Sequence, residues 1–126
     1  MEEIQYITQY WKDVAEQNEE ALLTYFQPDA YINWHNTNEH FTVAEFIIAN
    51  CEYPGNWVGK IERIQQLDEL VICIVHISEL KAHISFHVTS FIQFQNHLIQ
   101  SIDEYWGDDG EAPQWRKDKH LGTRIK

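Results

Sequence analysis

Glu104 is the residue best placed for chemistry, because it lies in a predicted strand between two large apolar residues. Side chains alternate between the two faces of a strand, so Ile102, Glu104 and Trp106 point the same way. A carboxyl group between such neighbours lies either on a wet surface or in a dry pocket, where burial would raise its pKa. A carboxyl with a raised pKa can act as an acid or base near neutral pH. Glu104 is therefore the first candidate catalytic group.

His76 is the candidate partner of Glu104. It lies in a predicted strand at 70–79, on the same face as Ile72 and Ile74. Imidazole exchanges protons near neutral pH, so His76 could pass a proton to or from Glu104. The alternative is a satisfied core or interface histidine, which is the more common role of a lone histidine in such a strand.

No metal site and no cofactor are predicted. His83 and His87 have the four-residue spacing of a helical metal motif, but they lie in the alternating pattern of a strand. Four residues of strand separate two side chains by about 13 Å, which is too far to share one ion. The sequence also lacks a glycine-rich phosphate loop, a serine-centred elbow and a cysteine–histidine pairing.

Helices precede most of the strands that must position these groups. Apolar residues at helical spacing predict a helix over 2–17, and Asn18 can cap a second helix that Pro28 ends. A first strand is predicted at 30–35. Thr42 and Glu45 form a capping box, which predicts a short helix over 43–51.

The pattern of the second half of the chain predicts four strands joined by short polar links. They are predicted at 58–66, 70–79, 83–95 and 98–106. Links this short join antiparallel neighbours, and Ser90 is a plausible bulge in the long third strand. The prediction is an α+β fold in one domain, 1–126, with a curved antiparallel or mixed sheet wrapped on the N-terminal helices.

The charge and the apolar content of the sequence disfavour two classes of binding partner, nucleic acids and membranes. The formal net charge of −11 disfavours a nucleic-acid partner, because the phosphate backbone is also negative. No apolar run approaches the roughly 20 residues that span a bilayer, so no membrane partner is expected. The start of the sequence shows no leader, and Cys51 and Cys73 read as reduced thiols, which predicts a cytoplasmic protein.

Three blocks carry a resemblance to a known family: Trp34–Glu39, Phe86–Phe91 and Asp103–Trp106. With the order of elements, they make the chain similar to the nuclear transport factor 2-like superfamily, in its SnoaL-like branch of polyketide cyclase and ketosteroid isomerase-like proteins. Within that branch they are most similar to a bacterial subgroup with no assigned reaction. The resemblance implies a cone-shaped fold around a small apolar ligand and a homodimer through the outer sheet face.

The resemblance also bears on Glu104. The limonene epoxide hydrolase and polyketide cyclase relatives use an aspartate on the last strand for acid–base work, and Glu104 occupies the matching position. The glutamate is longer by one methylene. The hydrolase's arginine is missing from 71–79, so epoxide hydrolysis by that mechanism is disfavoured.

Aromatic and apolar residues are expected to shape the ligand pocket. Those predicted to bind the ligand are Trp11, Trp34, Asn36, Phe86, Val88, Ile102, Trp106 and Trp115. In the first strand the inward pair is either Trp34 with Asn36 or Asn33 with His35. Trp34 with Asn36 is the prediction, because Ile32 and Trp34 make their face the more apolar one. Trp115, in a tail at 110–126, either covers the mouth of the cone as a lid or packs against a second subunit.

The predicted function is small-molecule binding, with a proton-transfer isomerase, cyclase or lyase activity. The alternatives are a ligand carrier or sensor that has no catalytic activity, and a dimeric interaction module whose own side chains fill the cavity. The predicted dimer buries the outer face of strand 83–95, where Phe91 is apolar, together with Cys73, Val75 and Ile77.

Overall fold

The computed structural model of the chain describes residues 2–126 as helices packed on one sheet. The helices are α1 (Glu2–Ala15), α2 (Glu19–Leu22), α3 (Val43–Cys51) and α4 (Gln114–Asp118). The strands are β1 (Phe26–Trp34), β2 (Glu39–Thr42), β3 (Trp57–Leu67), β4 (Leu70–Glu79), β5 (Ser85–Gln95) and β6 (Leu98–Asp108). The predicted α+β class is confirmed.

One mixed sheet contains all six of these strands, in the order β2-β1-β6-β5-β4-β3. The strands β3 to β6 follow one another as an antiparallel meander, as their short links predicted. The strand β1 lies parallel to β6, and β2 adds an antiparallel edge to β1. The sheet is not closed, because β2 and β3 are its two edges over the described residues.

The helices α1 and α3 cover one face of the sheet, called the inner face below. The face that they leave uncovered is called the outer face. The long helix α1 packs on β3 and β4 and buries Ile7, Tyr10 and Trp11, while α3 packs on β1 and buries Phe46. These side chains meet alternate residues of the strands, so the core lies between the helices and the inner face.

Both predicted helix caps are confirmed. The side chain of Asn18 accepts a hydrogen bond from the backbone N–H of Ala21 at 3.2 Å. At α3 the Thr42 hydroxyl accepts from the Glu45 backbone N–H, and the Glu45 carboxylate accepts from the Thr42 backbone N–H. These bonds satisfy backbone donors that a helix start leaves free.

Two strand predictions were incomplete at the N-terminal half of the sheet. The first strand begins at Phe26 rather than at residue 30, and β2 was not predicted. Pro28 is tolerated inside β1 because the register with β6 shifts between Phe26 and Tyr31, where ladder bonds are interrupted.

The predicted bulge at Ser90 is wrong. Ser90 pairs regularly with Cys73 on one side and Glu104 on the other. The irregularities lie between Ile61 and Arg63 in β3, and at Gln100 in β6, opposite Gln93 and Phe94 of β5.

The faces of β4 are the reverse of those predicted. Cys73, Val75 and Ile77 are buried on the inner face, and Ile72 and Ile74 lie on the outer face. Both faces of this strand carry apolar residues, so its alternation does not indicate which one points inward. The register with β5 decides it, because Val75 pairs with the buried Val88.

Among the helices of residues 2–126, none combines the length and the apolar character needed to cross a membrane.

Candidate functional site

Glu104 lies on the inner face of β6 with only 2% of its surface exposed. Strand alternation places it with Ile102 and Trp106, as the sequence predicted. The sheet register places Ser90 of β5 on one side of it and Trp34 of β1 on the other. The middle of the sheet thus places one carboxyl group in a mainly apolar interior.

Two side chains donate hydrogen bonds to this carboxyl. The Ser90 hydroxyl donates to Oε2 at 3.0 Å, and the Trp106 indole N–H donates to Oε1 at 3.3 Å. Burial raises the pKa of Glu104 from its ordinary 4.5 to about 7, because the interior solvates the charged form poorly. The hydrogen bonds act in the opposite direction, and they keep the pKa of Glu104 from rising further.

Two further polar groups near Glu104 are buried without a hydrogen-bond partner in the described structure. They are the Tyr10 hydroxyl and the Trp34 indole N–H. Burial raises the pKa of Tyr10, and the nearby charge of Glu104 raises it further. The Trp34 N–H makes no hydrogen bond, although it is near enough to favour the ionised form of Glu104. Unpartnered donors in an apolar interior favour the presence of a small polar acceptor.

A pocket of about 540 Å³ opens beside this interior, between the end of α1, α3 and the sheet. Its walls are mainly apolar, and their aromatic side chains are Trp34, Tyr53, Trp57, Phe86 and Trp106. A cavity of this size and character suits a small apolar molecule.

The pocket and Glu104 are separated by one layer of side chains. Trp34 and Trp106 line the pocket and also flank the Glu104 carboxyl. Glu104 itself is not part of the pocket wall. A ligand therefore meets the two indoles first.

Asn36 holds Trp106 in place through its side-chain amide. Its Nδ2 donates to the Trp106 carbonyl oxygen at 2.5 Å, and its Oδ1 accepts from the Trp106 N–H at 2.7 Å. The amide thus pairs with the backbone of β6 where β1 has ended. Because both amide atoms are engaged, Asn36 is better placed to position Trp106 than to polarise a ligand.

Solved structures share this arrangement of helices and sheet. A protein of unknown function from Burkholderia xenovorans, described as NTF-2 like, is 21% identical with a TM-score of 0.77; the match covers 97% of this chain and 94% of that one. A proposed ketosteroid isomerase from Kribbella flavida is 20% identical with a TM-score of 0.77, over 95% and 87% of the two chains. The chain has the nuclear transport factor 2-like fold.

A third structure with this nuclear transport factor 2-like fold is a proposed SnoaL-like polyketide cyclase from Shewanella putrefaciens. It is 15% identical with a TM-score of 0.72, over 84% of this chain and 90% of that chain. No protein-family model matches the sequence, and no curated protein is significantly similar to it. The likeness therefore establishes the fold.

Within this nuclear transport factor 2-like fold, the predicted ligand-binding residues fall into three groups. Four line the pocket: Trp34, Asn36, Phe86 and Trp106. Three are buried in the core: Trp11, Val88 and Ile102. Trp115 lies in α4, is 57% exposed and does not line the pocket.

The predicted pairing of His76 with Glu104 is wrong. His76 follows Ile74 on the outer face, whereas Glu104 points from the inner face. The sheet therefore stands between the two groups, and His76 cannot exchange a proton with Glu104. The error follows from the reversed faces of β4.

Ser90 and Tyr10 were not predicted as neighbours of Glu104. Ser90 shares the face of Val88 and Ile92, and a serine among buried residues signals that a polar partner lies close. Tyr10 had no comparable signal, because it sits on the apolar side of α1 like any core aromatic residue.

Proposed function

We propose that this protein binds a small apolar molecule in the aromatic pocket and that Glu104 transfers a proton to or from it. The reaction class is that of an isomerase, cyclase or lyase. The observation that carries the proposal is a buried carboxyl, with its pKa raised to about 7, one side-chain layer from the pocket. Near neutral pH such a group is ionised in part, so it can both accept and donate a proton.

The reaction requires the indole of Trp106 to move away from Glu104, so that a ligand can reach the carboxyl. The hydrogen bond from the indole nitrogen of Trp106 to Glu104 Oε1 is long at 3.3 Å. It is therefore the weaker of the two hydrogen bonds to the carboxyl. In the proposed step, the carboxylate takes a proton from a carbon next to a ligand carbonyl and returns it to another carbon of the same molecule. The Tyr10 hydroxyl and the Trp34 N–H are free to donate to the developing oxyanion.

Deuterium exchange tests this function across many candidate substrates at once. A panel of small apolar ketones and enones is incubated with the protein in D2O, and loss of the α-proton signal is followed by NMR. The wild-type protein is expected to accelerate exchange for at least one compound. Glu104→Gln is expected to lower that rate by roughly 100-fold or more, because it removes the proton acceptor but keeps the shape.

Glu69→Gln is the matched control, because Glu69 is an exposed glutamate in the turn between β3 and β4. It should exchange as fast as the wild-type protein. Equal rates in the wild-type protein and Glu104→Gln would remove Glu104 from the reaction.

A ligand carrier or sensor is the second candidate. The two indoles that separate Glu104 from the pocket favour it, as does the lack of a histidine on the inner face beside the carboxyl within the described structure. In that case compounds from the panel bind, as measured by quenching of tryptophan fluorescence, but no exchange is accelerated. The open pocket is evidence against a cavity filled by the protein's own side chains.

We also propose that the protein is a homodimer joined through the outer face. Ile72 and Phe91 are cross-strand neighbours there, and Tyr105, which is 47% exposed, packs edge-on against Phe91. Ile74 adds to this apolar patch. Such a patch at the centre of a sheet suits a second copy of the same face.

Light scattering at micromolar concentration is expected to give the mass of two chains. Phe91→Arg should give the mass of one chain, because two-fold symmetry places a charge in the interface twice. Leu80→Arg is the control, since Leu80 is exposed in the turn after β4 and lies outside the patch. A wild-type monomer, or a dimer that Phe91→Arg leaves intact, would contradict the proposal.

A further inference from the structure

Two histidines and an aspartate meet on the outer face, away from the Glu104 site. His76 of β4 and His87 of β5 are a directly opposed cross-strand pair, with ring centroids 4.7 Å apart. Asp109, just after β6, contacts His76 Nε2 through Oδ2 at 3.1 Å and contacts His87 Nδ1 through Oδ1. Nitrogen and oxygen atoms of the three side chains lie within 4.8 Å of one another.

We propose that His76, His87 and Asp109 bind a divalent transition-metal ion such as Zn²⁺. Two imidazoles and one carboxylate form a common donor set for zinc and its neighbours. In a tetrahedral zinc site with bonds of about 2.0 Å, the ligand atoms lie about 3.3 Å apart. The 3.1 Å between His76 Nε2 and Asp109 Oδ2 is close to that spacing, and the other ligand atoms, which lie within 4.8 Å of one another, adjust their spacing as the ion binds.

The surrounding residues hold the proposed ligands in position. Glu62 is the extra residue of the β3 bulge between Ile61 and Arg63, and its carboxylate contacts His87 Nε2 at 3.2 Å. A carboxylate on the far nitrogen of a histidine orients the ring so that the near nitrogen faces the metal. This leaves His87 Nδ1 for the ion.

Asp109 is held by Ser85 in two ways. The Asp109 backbone N–H donates to the Ser85 carbonyl at 3.1 Å, and the Ser85 hydroxyl donates to Oδ2 at 2.6 Å.

Lys126 also reaches Glu62 at 3.6 Å, but its side chain is 82% exposed and can move away. All three proposed ligands are partly exposed, so an ion can enter from solvent.

This site is independent of the proposed proton transfer, and it lies on the same outer face as the proposed dimer patch, two residues along β4 from Ile74. It lies on the opposite face from Glu104, and none of its three side chains lines the aromatic pocket or the second pocket beside α1 and β3. Its three ligands come from β4, β5 and the chain after β6, so a bound ion would join the ends of these three segments.

Metal titration of the full, tag-free chain tests the proposal. Isothermal titration with Zn²⁺ is expected to show one ion per chain, and Co²⁺ should give the visible absorption of a bound ion. His76→Ala and His87→Ala should each abolish this binding. Glu62→Gln should weaken it by about 10- to 100-fold, because the ring of His87 loses its orienting partner. Ca²⁺ should not compete, because it prefers oxygen ligands.

His35→Ala is the matched control. His35 also contacts one aspartate, Asp103, at 2.7 Å, but it has no second histidine beside that carboxylate. It should bind Zn²⁺ as the wild-type protein does, and circular dichroism should show that every variant is folded. Absence of Zn²⁺ binding to the wild-type protein, or binding by His76→Ala and His87→Ala that is as tight as in the wild-type protein, would overturn the proposal.

Discussion

Replacing Glu104 with glutamine is expected to change how stability depends on pH, by roughly 3 kcal/mol between pH 4.5 and pH 9. In the folded wild-type protein the pKa of Glu104 is about 7, against an ordinary value of 4.5. Folding therefore favours the protonated form. The wild-type protein keeps this contribution at pH 4.5 and below, and loses it progressively as pH rises through 7.

The glutamine variant has no charge to bury, so it should gain stability relative to the wild-type protein as pH rises. Urea unfolding at a series of pH values, followed by tryptophan fluorescence, measures the difference. Glu69→Gln serves again as the exposed control and should follow the wild-type curve. A constant difference between the wild-type protein and Glu104→Gln across this range would show that Glu104 titrates normally.

The second large effect is expected at Trp11. This indole is 2% exposed, and its N–H points at the Cys73 sulfur at 3.3 Å. Trp11→Ala should lower the free energy of unfolding by about 3–5 kcal/mol, because it leaves a large cavity between α1 and the sheet. Chemical denaturation of the purified variant measures this loss.

Trp115→Ala is the comparison for Trp11, because both tryptophans were predicted to bind the ligand. Trp115 is mostly exposed and its ring contacts the Arg116 guanidinium. Its replacement should change the unfolding free energy by no more than about 0.5 kcal/mol. A large loss at Trp115 together with a small one at Trp11 would reverse the assignment of core and surface.

The orientation of Glu104 could be predicted because its strand has only one apolar face. Ile102 and Trp106 flank it there, while Asp103 and Tyr105 occupy the other side. Local alternation is enough when the two faces differ in polarity. In β4 both faces are apolar, so alternation predicted the wrong orientation and only the pairing with β5 decides it.

Contacts between distant parts of the chain could not be predicted from local patterns. The spacing of His83 and His87 drew attention to the wrong histidine pair, since His83 lies in a turn with a φ of 55°. The pair that meets is His76 with His87, which depends on the exact register of two strands. The contact of Asn36 with Trp106 is of the same kind.

The parallel pairing of β1 with β6 has a consequence for how the molecule folds. Asn36 and Trp106, which it brings together, are 70 positions apart in sequence. Closing so long a loop carries an entropic cost before the contacts compensate for it, and non-local pairing slows folding. The meander of β3 to β5 can form from near neighbours. The carboxyl of Glu104 meets Trp34 only when the two halves of the chain dock, so we expect the pocket wall to be completed late in folding.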